Sequence, residues 1–254
     1  MKKNMKQRAD EAVVEAGIAP TLALAQAYIM RGIIEYHWRE KIYRVEKAGM
    51  QIPRDAVLYK QEEQKYVSRG GYKLEKGIQY FNLSLEGLIG IDIGASTGGF
   101  TDCLLQHGIQ RVYAIDVGEH LLHEKLKSRE DVIEKRINIK YLTIKDIQEP
   151  IDFVVADISF ISLEHIFRPL LPLLNAEAQF LLLIKPQFEL PKKYLHNGIV
   201  KDEEAHLQAI EKIVSYALQF SLTYCGYTPA GIKGRKGNQE YLLYFKYNKK
   251  KEAI

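Results

Sequence analysis

Short apolar runs alternate with stretches of helical spacing through most of the chain. Leu88 to Ile93 is apolar apart from Asp92 and breaks at once into Gly94-Ala95-Ser96-Thr97-Gly98-Gly99, after which Phe100 to His107 has helical periodicity. Arg111 to Asp116, Val132 to Glu134, Phe153 to Ala156 and Phe180 to Ile184 read as further strands with helical stretches between them. This is the pattern of a mainly parallel sheet covered on both faces, an α/β fold. Leu74, Ile78 and Phe81 place a helix ahead of the first of these strands. Ser162 to Leu174 is another, which Pro169 and Pro172 must kink or shorten. Asp202 to Phe220 is the longest amphipathic segment, with Ile210, Ile213, Val214 and Ala217 turned inward. Thr223 to Tyr227 and Tyr241 to Tyr247 read as two aromatic-rich strands around a turn. No internal repeat is present.

The first part of the chain has a different rhythm. Gln7 to Ala16 has helical spacing and Gly17 is a stop signal. Pro20-Thr21 starts a second helix with Leu22, Ala25, Ile29 and Met30 on one face, ended by Gly32. Strand-like pieces follow at Ile33 to Tyr36, Ile42 to Val45 and Ala56 to Tyr59, separated by Gly49 and Pro53. Gln61 to Lys65 is a polar join. The expected division is therefore a small α+β domain over 1–62 and a larger α/β domain over 63–254.

Composition narrows the classes. Lys plus Arg number 36 against 32 Asp plus Glu, a balance that permits a polyanionic partner without demanding one. The two cysteines, Cys103 and Cys225, have neither the number nor the spacing of a disulfide framework or a zinc site, so no metal is expected. The basic N-terminus is followed by no apolar core of a signal peptide, and the longest apolar runs fall far below the ~18 residues of a membrane span. A soluble, cytoplasmic protein is expected.

The break after Leu88–Ile93 carries the first chemistry. Glycines there allow positive φ and close approach of a ligand, and the following helix start offers free N–H groups. The spacing Gly94-x-x-x-Gly98-Gly99 is not that of a dinucleotide fingerprint. A strand-end carboxylate at Asp92 would repel a pyrophosphate but suits a cationic, amino-acid-bearing cofactor, for which S-adenosylmethionine is the obvious candidate. Asp116 ends the next strand, roughly twenty residues beyond the first glycine, where nucleotide-binding folds hold ribose hydroxyls.

Two resemblances add to this reading. The short helices and strands of the first domain resemble the αL module of a small-subunit ribosomal protein (S-four-like) and of pseudouridine synthases, which sets basic residues against RNA phosphates. Arg8, Arg31, Arg39, Lys41 and Arg44 are the candidates here, although Ala19-Pro20-Thr21-Leu22 replaces the usual Ser-Arg pair and Tyr36-His37-Trp38-Arg39 replaces the usual Val-Asn-Gly turn. Over nearly the whole chain, five ordered motifs resemble the TlyA family of FtsJ-related ribosomal RNA 2′-O-methyltransferases, first called hemolysins. They are Ser68-Arg69-Gly70-Gly71-Tyr72-Lys73-Leu74, Asp92 to Leu104, Ala156-Asp157-Ile158-Ser159-Phe160-Ile161-Ser162-Leu163, Ile184-Lys185-Pro186-Gln187-Phe188-Glu189 and Gly234 to Tyr241.

That resemblance implies a Rossmann-like class I methyltransferase with a seven-stranded sheet whose edge is an antiparallel hairpin. It implies S-adenosylmethionine as cofactor, held by Ser68, Asp92, Gly94, Ala95, Ser96, Thr97, Gly98, Gly99, Phe100, Asp116, Asn138 and Asp157. It also implies a catalytic tetrad of Lys73, Asp157, Lys185 and Glu240. A ribose 2′-hydroxyl is a poor nucleophile and must lose its proton as the methyl arrives; a lysine accepts it if burial or a cationic neighbour lowers its pKa. Lys185 is the expected base, Lys73 the neighbouring charge, and Asp157 and Glu240 hold the two amines. Arg69, Lys233, Arg235 and Lys236 are expected to face RNA phosphates, and His196 to Asp202 is expected to form an active-site loop. A non-enzymatic RNA-binding or ribosome-assembly factor with a relic pocket is the competing reading, and a membrane-lysing protein is the weaker third.

Overall fold

The computed structural model describes residues 6–61, 64–119 and 121–249. The chain divides into two compact units, Met1–Lys65 and Tyr66–Ile254. Glu62 and Glu63, where the sequence puts the boundary, lie outside the described residues.

The first unit runs β1 (Lys6–Arg8), α1 (Ala9–Glu15), α2 (Leu22–Met30), β2 (Ile34–Trp38), β3 (Lys41–Arg44), β4 (Gln51–Pro53) and β5 (Val57–Lys60). β1 and β4 form an antiparallel ribbon, and β3-β2-β5 form an antiparallel sheet. Ala9, Val13, Ala25, Ile29, Ile34 and Ile52 make the core between them. Asp10 is buried there, held by the Arg8 fork (3.1 and 2.8 Å) and by Gln26 Nε2 (3.0 Å). The Arg8 hydrogen bonds dominate and pull its carboxyl down to about 2.

Three expectations change here. The second helix buries only Ala25 and Ile29, with Leu24 and Tyr28 packed beside them; Leu22 in its first turn and Met30 at its last residue are 44% and 85% exposed, because the face turned to the core runs through Ala25 and Ile29 and leaves both ends outside it. The segment from Tyr36 to Trp38 continues β2, and the turn falls on Arg39 and Glu40, both at positive φ (50° and 63°). β1 and β4 lack a sequence signal, since three residues carry no period.

The second unit runs α3 (Arg69–Tyr80), β6 (Ile89–Ile93), α4 (Gly99–Gln106), β7 (Arg111–Asp116), α5 (Glu124–Lys127), β8 (Val132–Arg136), β9 (Ile151–Ala156), α6 (Glu164–Leu170), β10 (Leu174–Ile184), α7 (Pro186–Glu189), α8 (Glu203–Ala217), β11 (Leu222–Pro229) and β12 (Tyr241–Tyr247). These strands form one seven-stranded sheet in the order β11-β12-β10-β9-β6-β7-β8. Five are parallel and β12 is antiparallel to both neighbours, the expected edge hairpin. Both faces are buried: α6 and α8 cover one through Phe167, Ile210 and Ile213, α3 and α4 the other through Leu74, Ile78 and Leu104. Pro169 sits inside α6, and the segment tightens to a 3₁₀ turn at Leu171–Leu173. Strand order reverses between β6 and β9. In open α/β sheets a reversal of this kind opens a crevice outside the carboxyl ends of the strands.

Candidate active site

The crevice is built by the turn after β6. Gly94 (φ 80°), Ser96 (φ 49°) and Gly98 (φ 90°) fold the chain back on itself, and a Cβ on Gly94 would stand 2.8 Å from the Asp157 carbonyl oxygen. A Cβ on Gly99 would stand 2.1 Å from Ser68 Oγ, so the starts of α3 and α4 meet only because that position has no side chain. Ser68 caps α3 through the Gly70 N–H (3.3 Å), and Asp102 of α4 accepts from the Val67 N–H (2.8 Å).

Two chambers meet at Gly94, Ser96, Asp157 and Ser159. One, of about 380 Å³, is a mostly apolar slot between Ile115, Val117, Leu121, Ile139 and Ile158. Asp116 and Asn138 are among its polar walls. Asp116 accepts from the Ser96 N–H on one oxygen (2.9 Å) and the Gly118 N–H on the other (3.0 Å), so the carboxylate is fixed while each oxygen keeps a lone pair. Asn138 caps the short turn at Ile139–Tyr141.

The other chamber, about 370 Å³, gathers the charges. Lys73 and Glu240 are 8% and 2% exposed and meet at 2.5 Å, Lys73 Nζ donating to Glu240 Oε2. Lys185, 9% exposed, stands 2.5 Å from Asp157 Oδ1 and donates to Ser159 Oγ at 2.8 Å. The contact with Asp157 is a charge contact, the one with Ser159 a directed hydrogen bond. Buried ammonium groups need such partners to remain inside a protein. Phe160 stands at this chamber's wall, 85% exposed with φ +70°, its ring 5.2 Å from that of Phe188. Gln187 Oε1 is buried there without a donor. Glu189, 6% exposed, accepts from Ser162 Oγ (2.5 Å) and the Leu163 N–H (2.9 Å), tying the Lys185 turn to the Asp157 loop; burial pushes its carboxyl up.

Of the residues singled out in the sequence, Ser68, Lys73, Gly94, Ala95, Ser96, Thr97, Gly99, Phe100, Asp116, Asn138, Asp157, Lys185 and Glu240 all line one chamber or both. Asp92 and Gly98 do not. Asp92 is fully buried behind the turn, where its Oδ2 accepts from the Thr101 N–H (2.9 Å) and hydroxyl (2.7 Å) while Oδ1 has no partner. Burial, reinforced by the nearby Asp157 and Asp116 carboxylates, raises its carboxyl to about 7 against the pull of the Thr101 bonds. Its Oδ2 is engaged by the start of α4, and the residue lines neither chamber. Gly98 packs toward Leu126 and Leu122 and supplies its positive φ, not a wall.

None of the residues from His196 to Asp202 lines either chamber. It folds as a tight turn at Asn197 and Gly198, clasped by Asn238, whose amide bonds Gly198 O (2.9 Å) and the Val200 N–H (3.1 Å). Ser159, Phe160, Gln187 and Phe188 were not singled out as site residues, although all four lie within the motifs. The available signal is position, since each follows within three residues of Asp157 or Lys185 at the carboxyl edge of the sheet.

Among the phosphate candidates, Arg69 donates to the Lys233 carbonyl (2.9 Å) and so braces the loop carrying the exposed Lys233 and Lys236. The Arg235 side chain lies outside the described residues. In the first unit Arg8 is tied to Asp10, Arg39 lies over the Trp38 ring at 4.2 Å, and Lys41 and Arg44 are exposed on β3. Arg31 is the C-cap residue of α2. Among the described residues no group of three or more His, Cys, Asp or Glu is placed to hold a metal, and no helix is long and apolar enough to cross a membrane.

Comparison with known proteins bears on this arrangement. The chain is similar to YqxC of Bacillus subtilis, named as a candidate rRNA methyltransferase, at 39% identity over 94% of this chain and 85% of that protein. It is similar to TlyA of Mycobacterium tuberculosis, named 16S/23S rRNA (cytidine-2′-O)-methyltransferase, at 34% identity over 72% of this chain and 69% of that one. A solved structure from Streptococcus thermophilus, named as a hemolysin candidate, superposes with a TM-score of 0.72 at 36% identity, covering 97% of this chain and 90% of that one. Residues 66–247 match the FtsJ-like methyltransferase model, which takes in both chambers and all four charged residues between them. The chain belongs to the FtsJ-like methyltransferase family.

Proposed function

We propose that this methyltransferase transfers the methyl group of S-adenosylmethionine to a ribose 2′-hydroxyl of ribosomal RNA. The observation that carries the reading is the pairing of two buried lysines with two carboxylates in one chamber that opens directly into an apolar slot with a fixed Asp116. The slot fits an adenosine: apolar side chains for the base, Asn138 at its edge, and a carboxylate with spare acceptor capacity for the ribose hydroxyls. Gly94 to Phe100 would hold the amino-acid portion, where the turn brings backbone close to the shared boundary of the chambers.

When bound, S-adenosylmethionine supplies a methyl already activated on a sulfonium, so the protein's work is to place and deprotonate the acceptor. Lys185 Nζ, in its amine form, takes the proton of the 2′-hydroxyl, and Asp157 and Ser159 keep that nitrogen aimed into the chamber. Lys73, held by Glu240, orients the hydroxyl oxygen and keeps a second positive charge beside the developing alkoxide. Phe160 and Phe188 present aromatic faces to a nucleotide entering from solvent. Arg69, Lys233, Arg235 and Lys236 hold phosphates flanking the target nucleotide, and residues 1–62, as a separate RNA-binding unit, meet phosphates elsewhere on the folded RNA.

The names of YqxC and TlyA support ribosomal RNA as substrate. The test is to map ribose 2′-O-methyl groups in ribosomal RNA from cells with and without the gene. A position whose methylation disappears with the gene and returns when purified protein and S-adenosylmethionine are added to the undermethylated subunit is the expected result. Identical maps would overturn the reading.

A further inference from the structure

A third cavity lies wholly within the first unit and has no part in the chambers described above. It is a groove of about 320 Å³ lined by Lys6, Tyr36, Trp38, Tyr43, Gln51 and Pro53. Its making follows from strand alternation. Tyr36 and Trp38, two apart on β2, point to the same face, and Tyr43 lies directly across from Tyr36 on β3, the two rings stacked with centroids 5.0 Å apart. The opposite wall is the β1–β4 ribbon, in which Gln51 and Pro53 share a face and Lys6 pairs with Pro53. The groove is therefore an aromatic floor and a polar wall held between two sheets. Trp38 and Tyr43 are half-buried, so they show ring surface to solvent without being loose. The Trp38 indole N–H donates to Asp55 Oδ1 at 3.1 Å, which fixes the ring.

Cations stand at the rim beside the Asp55 carboxylate on the Trp38 indole. Lys6 is an exposed wall residue, Lys41 is exposed opposite Trp38 in the hairpin register, and the Arg39 guanidinium lies 4.2 Å from the Trp38 ring centre. Aromatic floor, polar wall and rim cations together match the needs of one ligand chemistry: an unstacked nucleobase between two backbone phosphates. Bases stack on Tyr and Trp faces, Gln supplies edge hydrogen bonds, and Lys and Arg meet the phosphates. The volume falls at the low end of small-ligand sites, roughly 300–1,000 Å³, which suits a single heterocycle better than a folded element of another protein. Phosphate contact by surface cations alone reads no sequence, whereas a base pocket requires single-stranded RNA.

We infer that this groove takes one unstacked base of a single-stranded RNA segment, giving the first unit a base-reading contact in addition to phosphate contacts. The inference rests on the RNA-methylating reading above. Trp38 is the only tryptophan in the chain, so its emission reports on this groove alone. The full chain is titrated with a short oligouridylate, with an abasic ribose-phosphate strand of equal length, and with a proline-rich peptide, and methylation of ribosomal subunits is measured on the same preparation. Base stacking predicts quenching by oligouridylate at low salt, and affinity for the abasic strand about tenfold weaker with no quenching. Tyr43→Leu, which keeps bulk but removes a stacking face, should lower oligouridylate affinity about fivefold to tenfold while leaving S-adenosylmethionine affinity unchanged. Wild-type Trp38 titrations carry the test even where that variant folds poorly. Equal binding of base-bearing and abasic strands with unmoved emission, or quenching by the peptide and not by RNA, would overturn the base pocket even if subunits are methylated normally. Quenching by oligouridylate without any subunit methylation would instead uphold the groove and remove the proposed substrate.

Discussion

Lys185 and Lys73 are each held by a carboxylate, but the two pairs differ in a way that predicts different mutants. Lys185 touches Asp157 and Ser159, both at the boundary shared with the nucleoside slot, while Lys73 reaches across to Glu240 at the start of β12. Lys185→Ala should therefore lower kcat by at least about a hundredfold, the size expected for loss of a general base, with S-adenosylmethionine affinity nearly kept. Asp116→Ala should do the reverse and weaken cofactor binding first, since its carboxylate faces only the slot. Calorimetry for binding and single-turnover methyl transfer separate the two; near-normal turnover in Lys185→Ala would show that another group takes the proton. Asp92 makes a prediction of another kind. Its carboxyl titrates near 7 when folded and near 3.9 when unfolded, so its favourable contribution is complete below pH 4 and is lost as pH rises through 7. Asp92→Asn keeps an acceptor for Thr101 and cannot ionise. Urea unfolding should show the wild type losing stability relative to this variant between pH 4 and 7, with a constant difference above about pH 8. A difference that does not change with pH would mean that Asp92 stays charged in the folded protein. Asp10 has the opposite sign: lowered to about 2, it stabilises above pH 4 and its contribution disappears as pH falls through 2.

At the scale of elements, the turn between β6 and α4 is fixed by what its glycines leave out. Gly94→Ala combines a positive φ with a Cβ 2.8 Å from backbone oxygen of Asp157, and neither can move without displacing β9. Gly17→Ala has a similar φ, 72°, with nothing within 4 Å, so it bears backbone strain alone. The expected cost is about 1–2 kcal/mol at Gly17 and more at Gly94, with cofactor binding lost only at Gly94; thermal unfolding and calorimetry on both variants check it. Elements with enough residues to show a period were legible in the sequence: β6, β7, β9 and α8 were expected within a few residues of where they lie, whereas β10 ends at Ile184 as expected but begins six residues before Phe180, at Leu174, which the sequence puts in the preceding helix. β1 and β4 were not, because three residues have no period. The direction of Asp92 was not legible either. A carboxylate near a strand end points to the crevice or to the helix layer according to the pleat, and the pleat turns Asp92 toward Thr101 of α4. Nor does sequence give the partition of the charges, since Lys73 finds Glu240 across 167 positions only through packing of α3 against the sheet.

At the scale of the whole chain, a chamber that under the proposed reading takes only a ribose and its nearest neighbours meets groups that recur throughout any RNA. Selecting one site in a ribosomal subunit therefore needs contacts over a wider surface, and the first unit, with Lys41 and Arg44 exposed on β3, is the surface available. Arg8 is paired with Asp10 and should contribute less there than the exposed Lys41 and Arg44. A truncated chain starting at Gln64 retains every residue that lines the two chambers and the cores of the sheet. It should fold and bind S-adenosylmethionine as the full chain does, yet lose methylation of ribosomal subunits. Phosphate contacts release counterions, so each one lost should flatten the plot of log affinity against log salt by about 0.7–0.9. The truncated chain is therefore expected to bind RNA more weakly at low salt and with a shallower slope, the two chains converging as salt rises. Affinity measured over a salt series, with methylation of subunits in parallel, decides the matter. Equal slopes and equal activity in the two chains would show that recognition resides entirely in residues 64–254.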